Sequence, residues 1–91
     1  MSRATRAIIN PDAIRNNFRR LSPGRDCVAI AVIKADAYGH GAVPVATHIE
    51  VAVDAFAVAL IEEAVTIRDA GVTKPILVLE GPHCAADLAL C

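Results

Sequence analysis

The sequence predicts an α/β fold built on a parallel sheet, and three observations carry that prediction. Three apolar runs of strand length, residues 27–33, 55–60 and 76–79, recur along the chain and are separated by helix-like stretches. The first run is continuously apolar, rich in Val and Ile, and does not alternate, the pattern of a strand covered on both faces. Each run is followed by a segment with helix-start or helix-stop residues. Strands and helices that alternate at this interval imply right-handed βαβ units with parallel strands.

The elements follow in order. Residues 5–9, TRAII, are expected to form a short strand. Asn10-Pro11 is a helix start: Asn as cap, Pro at the first helical position, Asp12 in the positive first turn. Ile14, Phe18 and Leu21 then form one apolar stripe, with Arg15, Arg19 and Arg20 outside it, and Ser22-Pro23-Gly24 ends the helix. Cys27 to Ile33 is the first buried strand. Residues 35–41 form a polar loop, and a helix is expected from Ala42 to Ala52 with Pro44 in its first turn, where a missing N–H costs little. Ala55 to Leu60 is the second strand and Ile61 to Ala70 a helix, with Gly71 placed to end it. Lys74-Pro75 introduces the third strand, Ile76 to Leu79. Glu80-Gly81-Pro82 turns the chain, and Ala85 to Leu90 begins another helix.

The chain has 91 residues, of which 55% are hydrophobic and 3% aromatic. So short a chain has little interior for that much apolar surface. A complete (β/α)₈ barrel takes ~250 residues, and a flavodoxin-like sheet about five strands. Three βα units leave two open sheet edges. The expectation is therefore the N-terminal portion of a larger α/β domain, prone to aggregation on its own, rather than a compact three-layer domain.

Formal net charge is −1, which argues against a nucleic-acid binder. The arginines concentrate in residues 1–25, but aromatic residues that would stack on bases are lacking, so a solvated basic helix face is the favoured reading. No apolar stretch approaches the ~20 residues of a membrane span. The three cysteines match no zinc pattern and no disulfide framework. Cys27 reads as a small buried hydrophobe, and a reducing, cytoplasmic location is expected.

Chemistry concentrates in residues 28–41, VAIAVIKADAYGHG. Lys34 stands at the carboxyl end of a buried strand, where α/β folds place their sites. Apolar surroundings at its root favour a neutral amine, the form that attacks a carbonyl. By position alone, a lysine reaching solvent is the better reading. The loop changes that balance. Gly39 and Gly41 permit positive φ and close approach of a ligand. They precede a helix N-terminus, which is expected to offer N–H groups to a phosphate. Tyr38 adds a hydroxyl. Amine, phenol and anion-binding turn together suit a phosphorylated aldehyde. His40 reads as a structural hydrogen-bonder.

Residues 31–41, AVIKADAYGHG, resemble the cofactor-binding signature of alanine racemases, pyridoxal 5'-phosphate enzymes of fold type III. INPDAIRNN, FAVALIEEAVTIRDAG and KPILVLEG also resemble that family's N-terminal region, so the resemblance covers essentially residues 1–91 but only the first quarter or so of a family member. It implies the N-terminal part of a (β/α)₈ TIM-type barrel, about three βα units and incomplete. It implies that Lys34 holds the cofactor as an internal aldimine and acts as one of two acid/base groups. Tyr38 would hydrogen-bond the phosphate, and Leu79 would pack near the cofactor ring. Alanine would be the small-molecule substrate, and the full-length parent would be a cytoplasmic homodimer. The second base, a tyrosine of the partner subunit's later domain, and most phosphate ligands would lie outside this chain, so residues 1–91 alone would be inactive. Ala52-Val53 stands where the family usually has a glycine-containing turn, and Glu80 where it usually has glycine. The alternatives are a pyridoxal-phosphate-binding barrel protein without racemase activity and an inert truncated product.

Overall fold

The computed structural model describes residues 4–22, 24 and 26–91. Pro23 of the expected helix stop, and Arg3 and Arg25 of the basic segment, lie outside the described residues. The order is α1 (Pro11–Leu21), β1 (Ile30–Val32), a short helical turn α2 (Lys34–Tyr38), α3 (Ala42–Ile49) with a 3₁₀ turn (Glu50–Ala52), β2 (Ala55–Val58), α4 (Ile61–Asp69), β3 (Ile76–Val78) and α5 (Ala85–Leu90).

The sheet is parallel in the order β1-β2-β3. Right-handed crossovers that advance without reversing put their helices on one face. The register makes this visible. Ala31 pairs with Phe56, and Phe56 with Ile76, so all three side chains share a face. Ala31, Ile33, Phe56 and Val58 pack there with Val45, Ala46 and Ile49 of α3 and Ile67 of α4 in one core cluster. Ile14 and Phe18 of α1 pack against it from outside. Among the described residues, the other face carries no helix layer in the core cluster: Val32 is 56% exposed and Leu77 50%, with only the small Ala57 buried between them.

This corrects the expectation that the first strand is covered on both faces. Its burial alternates, because only one side of the sheet carries helices. The strand is also shorter than expected. Cys27 is exposed rather than buried, since the ladder begins only at Ile30. Asp54 accepts the Ala29 N–H at 2.8 Å just before it. Residues 5–9 form no strand: residues 4–10 are irregular and Ile8 is exposed. In α1, Asn10 caps as expected, its Oδ1 accepting from Ala13 N at 3.1 Å. Leu21, by contrast, drops off the apolar stripe into solvent. The second helix tightens into its 3₁₀ turn and ends at Val53, which is buried in the core. Glu80 leaves the third strand's exit intact, donating its N–H to the Ala59 carbonyl at 3.2 Å.

Candidate active site

Lys34 and Leu79 follow the carboxyl ends of β1 and β3, and Tyr38 ends the short helical turn that begins at Lys34. The ladder continues past the strand ends, with Ile33 N donating to Ala57 O at 2.9 Å and Leu79 N to Val58 O at 2.8 Å. Lys34 begins α2 just past β1, where Ile33 at ψ 23° turns the chain out of the sheet, while Ala59 and Leu79 directly follow β2 and β3. Leu79 is exposed and Lys34 half-buried.

The chain has two lysines, and their surroundings differ. Lys74 is committed, its Nζ donating to the Val53 carbonyl at 3.0 Å below the start of β2. Lys34 makes no side-chain hydrogen bond or ion pair with any of the described residues.

The segment after Lys34 takes an unusual path. Ala35, Asp36, Ala37 and Tyr38 all have φ between 53° and 56°, a left-handed turn made of residues other than glycine. Each such residue costs ~1–2 kcal/mol, so the turn persists only because other contacts hold it. Asp36 supplies several. Its backbone carbonyl accepts from Gly39 N at 3.1 Å and Gly41 N at 3.0 Å. Its Oδ1 accepts from Ala42 N, the first residue of α3, at 2.8 Å. Gly39 follows at φ 87° and Gly41 at φ 89°, where glycine carries no side-chain penalty.

These bonds revise the expected anion-binding turn. The N–H groups of Gly39, His40, Gly41 and Ala42 all have partners within the chain, and the positive end of α3 already faces the Asp36 carboxylate. Gly41 does not make room for a ligand either: a Cβ there would sit 3.3 Å from the Pro44 ring. His40 behaves as expected. Its Nδ1 lies 2.9 Å from the Ala37 carbonyl, which can only accept, so that nitrogen carries the proton. The Tyr38 side chain is 73% exposed.

Two carboxylates hold backbone N–H groups around this turn, and neither contact is visible in the sequence. Position 36 stands out there only as Asp where the resembled family more commonly has Asn. Glu63 occupies the third position of α4, a known helix-start signal, but Leu60 at the cap position lacks the usual hydroxyl that completes it.

Residues 9–91 match the family described as the alanine racemase N-terminal domain. The chain belongs to the alanine racemase family. It is 51% identical over 88 residues to the alanine racemase of Alteromonas mediterranea, covering 96% of this chain and 25% of that protein. It is 55% identical over 91 residues to an alanine racemase of Xylella fastidiosa, covering 97% and 24%. Among solved structures, the biosynthetic alanine racemase from Pseudomonas aeruginosa superposes with a TM-score of 0.73 at 40% identity, over 88% of this chain and 22% of that one. The alanine racemase of Clostridium difficile gives 0.67 at 42%, over 77% and 19%. The chain thus spans about a quarter of the length of the curated relatives it matches. The three-stranded sheet, with its helices on one face, is the N-terminal part of the alanine racemase barrel and is not closed. Among the described residues no helix is long and apolar enough to cross a membrane.

Proposed function

We propose that residues 1–91 are the N-terminal barrel portion of a pyridoxal-phosphate-dependent alanine racemase, and that Lys34 is its cofactor lysine. The observation that carries this reading is Lys34 itself: an amine at the carboxyl edge of the sheet, without a partner among the described residues, followed by a loop held in a strained path. The donor set fits the cofactor. Lys34 offers a primary amine to an aldehyde, and the exposed Tyr38 hydroxyl is a donor for a phosphate oxygen. With Asp36 occupying the end of α3, the phosphate contact from this segment falls to Tyr38 rather than to the helix N-terminus.

When bound, pyridoxal phosphate supplies an electron sink that makes the α-proton of an amino acid removable. Lys34 is the residue that would hold the cofactor's aldehyde, and its amine would serve as the acid/base group on one side of the substrate α-carbon. Tyr38 would hydrogen-bond the phosphate, and Leu79, at the exit of β3, would give the ring an apolar neighbour. Proton delivery to the opposite side requires a second acid/base group, which in this reading comes from a partner subunit of the homodimeric parent. We expect no alanine racemisation by residues 1–91 alone. The protein would act in the cytoplasm on free alanine.

Incubation with pyridoxal phosphate, borohydride reduction and peptide mapping tests the assignment. Lys34 is expected to carry the label. Label on Lys74 instead, or on neither lysine, would refute it. Racemisation of L-alanine by the isolated chain would refute the need for a second group from elsewhere.

A further inference from the structure

Glu63 reaches out of α4 to two strand exits at once. Its Oε1 accepts the N–H groups of Ala59 and Leu60, both at 3.0 Å, where the chain leaves β2. Its Oε2 accepts the N–H of Ala35 at 2.8 Å, where the chain leaves β1 directly after Lys34. The bond from Leu60 is the ordinary closure of a helix start. The bond from Ala35 is not: it ties α4 to the first residue of the left-handed turn, at φ 53°. A carboxylate has lone pairs enough for all three donors, and its charge strengthens each bond.

We propose that Glu63 is a positioning residue that sets the direction in which Lys34 leaves the sheet, by holding the Ala35 amide against the exit of β2. The inference rests on the assignment of Lys34 as the cofactor lysine. Without the carboxylate, Ala35 has no acceptor to hold it in a conformation it disfavours, and the residue beside it loses a fixed root. Glu63→Gln separates the two jobs of the side chain. The amide oxygen, turned toward Ala59 and Leu60, preserves the start of α4. The NH₂ group then meets the Ala35 N–H donor to donor.

Two readouts on the full chain decide the matter: amide hydrogen exchange at Ala35, Ala59 and Leu60, and the rate of reductive labelling of Lys34 with pyridoxal phosphate. In the unmodified chain the Ala35 amide should be as protected as the other two. In Glu63→Gln its exchange should rise about tenfold, the size of one lost charge-assisted hydrogen bond, with Ala59 and Leu60 unchanged. Labelling of Lys34 should slow about tenfold through lost orientation. Asn10→Ala, which weakens the distant α1, should leave the labelling rate as it was. A merely structural Glu63 would raise exchange at all three amides and through α4. Unchanged labelling in Glu63→Gln overturns the positioning role while leaving Lys34 as the cofactor lysine. An unlabelled Lys34 in the unmodified chain overturns both. Should Glu63→Gln not fold, an unprotected Ala35 amide in the unmodified chain overturns the proposal by itself.

Discussion

Asp36 offers the sharpest test of how the Lys34 loop is held. Its carboxylate does two things at one point. It accepts the Ala42 N–H at 2.8 Å, and it places a negative charge at the N-terminus of α3. Losing a side-chain acceptor at a helix start costs about 1 kcal/mol, and losing the charge about 0.5 kcal/mol more. Asp36→Ala should therefore destabilise the chain by roughly 1.5 kcal/mol, with the unfavourable φ of 56° retained. Asp36→Asn keeps the Oδ1 acceptor and tolerates the left-handed region well, so its cost should stay within about 0.5 kcal/mol. Asp36→Gly loses the acceptor but relieves ~1–2 kcal/mol of backbone strain and should fall near the unmodified chain. Urea denaturation followed by circular dichroism measures all three. With a slope of about 1–3 kcal/mol per molar, Asp36→Ala should lower the midpoint by roughly 0.5–1.5 M. If Asn proves as damaging as Ala, the charge rather than the hydrogen bond is what holds the loop. If Ala costs nothing, the Asp36–Ala42 bond contributes nothing to the turn, and the account of its strain is wrong.

Other outcomes follow from the same geometry. Phe56 is fully buried at the centre of the covered face, so Phe56→Ala should cost ~3–5 kcal/mol, a large part of the stability of so small a domain. Val32→Ala, on the open face, should stay within about 0.5 kcal/mol, and comparable losses at the two positions would contradict a sheet covered on one side. Asp12 pairs with His48 of α3 at 2.8 Å and with Arg15 at 3.0 Å. The hydrogen bond and charge of His48 hold its carboxyl below the ordinary 3.8. A depressed carboxylate stabilises the fold above its unfolded value, and that contribution disappears as pH falls through the lower folded value. His48→Ala should move the Asp12 midpoint up toward 3.8, as read from its carboxyl ¹³C shift; an unmoved midpoint would remove the α1–α3 tether.

Much of the fold is legible in the residues themselves. Asn10-Pro11 starts α1 where it should, Gly71 at φ 100° follows the end of α4, and each apolar run contains a strand. The lysine at a strand end and the glycines beyond it mark the site, because those residue types carry their chemistry and backbone freedom wherever they stand. Other features depend on neighbours that are distant in sequence. An apolar run reads the same whether one or both of its faces are covered, and only the unreversed strand order settles that the helices lie on one side. The left-handed path of Ala35–Tyr38 is invisible in alanines, which disfavour it, and the structure sustains it through the carbonyl and carboxylate of Asp36 and through Glu63, 28 residues beyond Ala35. The expected phosphate seat at α3 went to Asp36 for the same reason: a helix end binds whichever anion the tertiary structure brings nearest. Local residue patterns suffice for parallel βα units with a lysine at one edge of the sheet. The tertiary structure decided which face is covered, which amides are already used, and which carboxylates hold the loop after that amine, since these are matters of distance between segments that local patterns do not encode.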